Sequence, residues 1–88
     1  MLQDKDLEKF RELLDEQYTW PDYYEFKFIV KATEKMNVIS KLENFTIEET
    51  PSAKGTYISI SARKLIKGSQ EVLDVYERMS ALKGIISL

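Results

Sequence analysis

The sequence predicts a small α+β domain in which helices cover one side of a four-stranded antiparallel sheet. Its 88 residues suffice for one domain with a modest core. Some segments have apolar residues at every second position, as strands do, and others have them at helical spacing. The two kinds of segment alternate along the chain. A further amphipathic segment precedes the first strand. We therefore expect a sheet domain with an extra N-terminal helix.

The amino-acid composition limits which catalytic and binding functions the chain can have. The chain is 43% hydrophobic and 32% charged, which is typical of a folded protein. It has no Cys and no His, so it lacks thiolates, the commonest metal ligand and the usual general base near neutral pH. We expect no enzyme, no metal and no cofactor. The net charge of -2 does not favour a nucleic-acid partner. No apolar run approaches the roughly 20 residues of a membrane span, and the acidic start is unlike a signal peptide, so we expect a cytoplasmic protein.

The N-terminal helix is predicted from residue 4 to about residue 16. Leu7, Phe10 and Leu14, with Leu13 beside them, form one apolar stripe. A helix this short must dock on something, because it is marginal alone in water. Two interpretations remain open: the stripe packs on the domain's own core or sheet, or it contacts a second copy or another protein. We assign residues 1–19 to this helix and its connector.

The predicted sheet domain occupies residues 20–88. Its elements follow the order β-α-β-β-α-β, and two split βαβ units with right-handed crossovers make a ferredoxin-like sandwich. We expect the strand order 4-1-3-2, with both main helices on one face. The predicted strands are 23–30, 45–50, 56–64 and 85–88, and the predicted helices are 33–42 and 70–81.

The two helices of the sheet domain carry their own periodic residues. In the first, Met36, Ile39 and Leu42 recur every three residues and are predicted to face the core. In the second, Asp74 and Arg78 are spaced for an ion pair one turn apart. Residues 65–68 before it are predicted to be a loop, and Ser69 is predicted to cap it.

One face of the sheet is predicted to be mixed in character. Tyr23 and Lys27 share it on the first strand, and Tyr57 and Arg63 share it on the third. Ile29 and Ile85 are also placed there. A face this apolar needs a cover. We favour the N-terminal helix as that cover, and the alternative is another chain.

An RNA-binding alternative rests on the turn before the third strand. Lys54-Gly55-Thr56-Tyr57-Ile58 begins like the RNP1 motif of RRM domains, which share this element order. Thr56 and Ile58 then stand where the stacking aromatics are expected. Tyr23 and Tyr57 on the open face keep single-stranded RNA as an alternative ligand.

Several segments carry a resemblance to a known family. Pro51-Ser52-Ala53-Lys54-Gly55-Thr56-Tyr57 resembles the P-S-x-K-G-x-Y segment of the bacterial DUF493 (YbeD-like) family. The strand at 24–30, preceded by Trp20-Pro21, resembles its first strand. The segments at 75–77 and 84–88 resemble its last helix and strand. The resemblance covers residues 20–88, and the hairpin is its most specific part.

The resemblance implies a ferredoxin-like, ACT-like fold and a non-enzymatic role. It suggests a small regulatory module, a homodimer, that binds a small metabolite related to lipoate or a partner protein. ACT-like domains bind effectors at interfaces, so the resemblance makes Lys54, Gly55 and Tyr57 candidates for a ligand site or interface. Tyr23, Lys27 and Arg63 on the open face are further candidates. The alternatives are the RNA-binding module and an oligomerising adaptor that uses Leu7, Phe10 and Leu14.

Overall fold

The computed structural model describes residues 4–82 and 84–87 of the chain. Three α-helices and four strands are present in these residues, with a short 3-10 turn before the second helix. The predicted last strand ended at residue 88, which lies outside the described residues. The elements are α1 (Asp4–Gln17), β1 (Asp22–Lys31), the 3-10 turn (Ala32–Glu34), α2 (Lys35–Ser40), β2 (Thr46–Pro51), β3 (Tyr57–Ile66), α3 (Ser69–Ser80) and β4 (Ile85–Ser87).

The four strands form one antiparallel sheet in the order β2-β3-β1-β4. Read from the other edge, this is the predicted order 4-1-3-2, so the predicted topology is confirmed. β1 and β3 form the centre and pair along ten residues, from Asp22 opposite Ile66 to Lys31 opposite Tyr57. β4 pairs only with the stretch of β1 from Phe28 to Val30. The central pair therefore fixes which side chains share a face.

One face of the sheet, the core face, lies beneath the helices. Its central side chains are fully buried, and α3 contributes Val72, Val75 and Met79 above them. Burying a large apolar side chain stabilises a fold by about 2 kcal/mol, so this layer supplies much of the stability. The fully buried residues of the two central strands are Phe26, Phe28, Val30, Ile60, Ala62 and Ile66.

The N-terminal helix α1 packs against α3 on this same side of the sheet. Leu14 is only 4% exposed and belongs to the main core cluster. The Phe10 ring lies 5.8 Å from the ring of Tyr76 on α3. Phe10 and Leu14 therefore pack on the chain's own core, as predicted. Leu13, which was predicted beside them, is 55% exposed, because it lies about 100° around the helix from Leu14. The prediction that α1 covers the open face is wrong, because a Leu and Phe stripe buries more apolar area against the aromatic core than against a mixed polar face.

Helix α2 is shorter than predicted, because the chain leaves β1 through a 3-10 turn. Val38 in α2 and Leu42 just after it are buried. Met36 stands two residues before Val38, which places it roughly on the opposite side of the helix. Met36 is 71% exposed, so its predicted place in the core is wrong. An ion pair connects α2 with the edge strand β2: the Nζ atom of Lys35 lies 2.7 Å from Oε1 of Glu49.

The junction between β3 and α3 also differs from the prediction. β3 continues through Leu65 to Ile66, so the predicted loop is shorter. Gly68 is the residue before α3, and Ser69 makes no capping hydrogen bond. The carboxylate of Glu71 instead accepts a hydrogen bond from the backbone N–H of Lys67 at 3.0 Å.

The predicted ion pair on α3 is replaced by a different contact. Asp74 accepts a hydrogen bond from the side-chain amide of Gln70 at 2.9 Å, and no pair with Arg78 forms. The side chain of Arg78 therefore has no carboxylate partner in the described part of the chain. Among the described helices, none has the length and apolar character needed to cross a bilayer.

Candidate functional site

The sheet face opposite the helices, which we call the open face, is the main candidate surface. Six large apolar side chains of the described residues are exposed, and four of them lie on this face. The four are Tyr23 (55% exposed), Leu65 (46%), Tyr57 (42%) and Ile86 (55%). They form two groups, Tyr23 with Leu65 at one end of the central strands and Tyr57 with Ile86 towards the other. Exposed apolar groups concentrated on one face favour a binding surface.

The last strand contributes a different isoleucine from the one predicted. Ile86 pairs with Ile29 and shares the open face, whereas Ile85 pairs with Val30 and packs against the core. The prediction for Ile85 was therefore wrong by one residue. Because side chains alternate along a strand, a shift of one residue moves a side chain to the other face.

Charged residues form a band across the middle of the open face. Glu25 lies opposite Arg63 in the register, and Lys27 lies opposite Ser61. The Lys27 Nζ is 3.7 Å from Oε1 of Glu25, an exposed pair worth little alone. Arg63 makes no ion pair within the described residues, and its guanidinium carbon stands 4.8 Å from the centre of the Tyr23 ring.

The predicted open-face residues fall on one surface but not at one point. Tyr23, Arg63 and Lys27 lie together over one half of β1 and β3. Tyr57 lies opposite Lys31, which comes eight residues after Tyr23 on β1. At the rise of a strand, eight residues span about 26 Å. The arrangement suits a broad contact with another molecule. It does not converge on a small ligand.

The hairpin tip lies beyond this surface. Gly55 has φ 73°, a conformation that favours glycine, and its N–H donates to the Ser52 carbonyl at 2.9 Å. Ser52 also accepts a hydrogen bond on its Oγ from the Tyr57 N–H at 3.2 Å. Turn geometry thus explains Gly55 and Ser52. Lys54 is exposed at the tip and makes no ion pair within the described chain.

The helix side of the molecule holds a network of aromatic residues. The Tyr24 and Tyr76 hydroxyl oxygens are 3.2 Å apart, and the Tyr18 ring lies 5.4 Å from that of Tyr24. Burial raises the pKa of Tyr76 above the ordinary 10.0, and its contact with Tyr24 raises it further. The single Trp20 stacks on Tyr18 at 5.0 Å, and its indole N–H donates to Asp15 at 2.8 Å. This network holds α1 on the core.

A pocket of about 300 Å³ opens on the same side, between the end of α2, β3 and α3. Lys64 and Arg78 line it, and neither was predicted as a site residue. Lys64 could have been found, because it continues the core-facing alternation of Ile60 and Ala62 and places a charge where an apolar residue is expected. Arg78 was missed because it was assigned to a pair on its own helix. The described residues contain no cluster of three His, Cys, Asp or Glu side chains placed to hold a metal ion.

The fold and surface together define a class: a ferredoxin-like α+β domain with an added N-terminal helix and a sheet face that the described helices leave uncovered. A family model described as a protein of unknown function (DUF493) matches residues 15–88. The chain therefore belongs to the DUF493 family, as its hairpin and strand motifs suggested. No curated protein and no solved structure was found to match the chain.

Proposed function

We propose that the protein is a non-catalytic binding module that works as a homodimer, with two copies joined through their open faces. The observation that carries the proposal is the concentration of exposed Tyr23, Tyr57, Leu65 and Ile86 on a face that α1 leaves uncovered. A chain without Cys or His is poorly equipped for catalysis, which supports a binding role. The regulatory role implied by the family resemblance belongs to this proposal.

The register of β1 and β3 makes the open face complementary to a second copy of itself. We consider two copies stacked face to face, with the two-fold axis running along the strands between β1 and β3. Each residue of β1 then meets the residue of the partner's β3 that it opposes in its own chain. Tyr23 meets Leu65 of the partner subunit, and Glu25 meets Arg63 of the partner subunit. At this end of the face an apolar pair and a pair of opposite charges meet. Towards the other end the same operation places Ile29 opposite Ser59 and Lys31 opposite Tyr57, so the complementarity rests on the first two pairs.

The charged band is where this complementarity is best preserved. Stacked sheets are rotated by about 30° relative to each other, so rows far from the centre are displaced most. Glu25 and Arg63 lie only one row from the centre at Lys27 and Ser61. Their long side chains can span the displacement of about 3 Å that the rotation produces there. Arg63 has no carboxylate partner among the described residues and is available for this pair.

The size of the face predicts a weak dimer. Strands are spaced by about 4.8 Å and rise about 3.3 Å per residue, so the four strands present roughly 450 Å² in projection. Two copies would bury on the order of 900 Å², which is at the low end for specific complexes. We expect a dissociation constant in the micromolar range, because area and a charged centre both limit affinity.

The competing occupants fit this surface less well. Stacked bases need aromatic platforms on the central strands, but the middle of the face holds Lys27, Ser59 and Ser61. A small metabolite needs an enclosing cavity, and the pocket that we describe lies on the other side of the sheet. A different protein with a similar apolar and charged patch is the remaining competitor.

Sedimentation equilibrium of the purified chain tests the proposal. The native chain should show a reversible monomer–dimer equilibrium. The double variant Tyr23→Ser/Leu65→Ser should sediment as a monomer over the same concentrations. Leu13→Ser is the matched control, because Leu13 is also 55% exposed but lies on α1. Circular dichroism confirms that each variant is folded. A native chain that stays monomeric to millimolar concentration, or a Leu13 variant that loses the dimer equally, would contradict the proposal.

A further inference from the structure

The pocket on the helix side is formed by parts of the chain that are distant in sequence. Lys41, Asn44 and Phe45 enter it from the segment after α2, Lys64 from β3, and Arg78 from α3. It is a groove of about 300 Å³ that is half open to solvent. It lies on the opposite side of the sheet from the open face, so it is independent of the proposed dimer.

The charges around this pocket are unlike those of the whole chain. Three cations, Lys41, Lys64 and Arg78, line it against the single carboxylate of Glu43. The chain as a whole carries a net charge of -2. Within the described residues, neither Lys41 nor Arg78 has a carboxylate oxygen within ion-pair distance. Lys41 and Arg78 therefore line the pocket without an ion-pair partner among the described residues, and Glu43 is the one carboxylate in its lining.

Lys64 is the most fixed of the three cations. Its Nζ lies 3.2 Å from Oε2 of Glu71 and 5.3 Å from the centre of the Phe45 ring. Glu71 in turn accepts the backbone N–H of Lys67, which holds it in place. The ammonium group of Lys64 is thus positioned at the pocket wall before any ligand arrives. A positioned cation loses less conformational entropy on binding an anion than a free lysine does.

We propose that this pocket binds the anionic group of a small ligand, a phosphate or a carboxylate. The guanidinium group of Arg78 offers paired N–H donors that match either group. Lys41 and Lys64 add point charges, and the Asn44 amide adds a neutral donor. The Phe45 ring supplies an apolar wall for the remainder of the ligand. Glu43 lowers the net positive charge of the pocket. We therefore expect the pocket to prefer compact anions, because these can contact the cations without approaching the Glu43 carboxylate.

Titrations followed by the backbone amide NMR shifts test this site. The probes are inorganic phosphate and succinate, with sodium chloride at matched ionic strength as the blank. We expect saturable shifts at Asn44, Phe45 and Lys64 with at least one probe, and the probe that binds more tightly tells phosphate from carboxylate. Neither probe saturating, or chloride giving the same shifts, would overturn the proposal.

Charge-matched variants sharpen the test. Arg78→Gln should weaken binding of the effective probe by at least about fivefold, because it removes the forked donor from the pocket. Lys54→Gln removes the same charge at the distant hairpin tip and should leave binding unchanged. An equal loss in both variants would show mere charge screening and would overturn the site. The titration is repeated on Glu25→Arg, which we expect to be monomeric. Anion binding should persist in this variant, because the pocket does not depend on the proposed dimer.

Discussion

The guanidinium carbon of Arg63 lies 4.8 Å from the centre of the Tyr23 ring, on the face of the sheet that the described helices leave uncovered. The two residues are diagonal neighbours on β3 and β1, because Arg63 opposes Glu25 and Tyr23 opposes Leu65. A cation over an exposed ring is worth about 0.5–1 kcal/mol. The contact places the Arg63 guanidinium beside Tyr23 on the open face, and in the dimer that we propose Glu25 of the partner subunit lies opposite it.

The first prediction concerns Leu14 on α1. Leu14→Ala should lower the free energy of unfolding by about 2–4 kcal/mol, because Leu14 is 4% exposed and its removal leaves a cavity beneath the helix. Denaturant unfolding measures the change. Leu13→Ala, one residue earlier and 55% exposed, should change stability by less than about 0.5 kcal/mol. Equal effects of the two substitutions would mean that α1 does not dock as described.

The second prediction concerns the hydroxyl pair of Tyr24 and Tyr76. Tyr76→Phe should cost about 1 kcal/mol, because it removes one partner of a partly buried hydrogen bond. Tyr57→Phe on the open face is the control and should be close to neutral. A stabilised Tyr76→Phe variant would show that the contact is not a favourable hydrogen bond.

The same variant has a defined pH dependence. The pKa of Tyr76 is raised in the folded state, so the folded chain holds this proton when the unfolded chain has lost it. Its contribution is therefore complete below the ordinary pKa of 10.0 and declines as the pH rises above that value. The difference in unfolding free energy between the native chain and Tyr76→Phe should shrink over that range. A constant difference would contradict the raised pKa.

The third prediction concerns Glu71 at the start of α3. The backbone N–H of Lys67 lowers the pKa of Glu71 most, burial opposes that change, and Lys64 lowers the pKa further. Because its pKa is lowered on folding, the Glu71 carboxylate stabilises the fold at pH values above its ordinary pKa of 4.5. This stabilisation is lost as the pH falls through the lower pKa of the folded state. Glu71→Gln should cost about 0.5–1 kcal/mol near neutral pH and progressively less below pH 4.5. Glu77→Gln, further along α3 and without an ion pair among the described residues, is the control and should change stability by less than about 0.5 kcal/mol near neutral pH.

The fourth prediction concerns the hairpin tip. Gly55→Ala should destabilise the fold by about 1 kcal/mol, because Gly55 has φ 73° and a Cβ disfavours that conformation. No heavy atom lies within 4 Å of the added Cβ, so the cost should come from the backbone alone. Gly55→Asn should cost less, because Asn tolerates the left-handed region. Equal costs for Ala and Asn would point to a contact at the tip instead.

Strong local patterns made much of the fold predictable from the sequence. The alternation in β1 and β3 gave the correct faces for Tyr23, Lys27, Tyr57 and Arg63, because a side-chain period of two leaves little choice once one face is apolar. Weaker patterns failed. β4 is too short for its alternation to separate Ile85 from Ile86, and α2 buries Val38, which leaves Met36 roughly on the opposite side of the helix.

The candidate sites were harder to predict than the fold. A helical stripe does not specify what it packs on, so α1 was expected either on the chain's own core or sheet or on another chain. The contact between Phe10 and Tyr76 places it on α3. The cationic pocket draws on the ends of α2, β3 and α3, and no local motif connects these segments. The one local indication of this pocket in the sequence was a charged residue, Lys64, at a core-facing position of β3.

The fifth prediction concerns charge complementation between two copies. In Glu25→Arg, two arginines face two arginines across the proposed interface, and in Arg63→Glu, four carboxylates meet. Each variant alone should dimerise at least about tenfold more weakly than the native chain, because like charges replace two attractive pairs. Both variants keep an open face of the same shape, and any effect within one chain is identical in separate and mixed samples.

Sedimentation of the two variants, separately and as an equimolar mixture, is the most direct measurement of the proposed interface. In a mixed dimer, both arginines of one chain face both carboxylates of the other, which restores two attractive pairs. We expect two monomeric samples that form a heterodimer when mixed, with an affinity close to that of the native homodimer. If the mixture sediments as the sum of its separate components while the native chain dimerises, the two copies do not meet through Glu25 and Arg63.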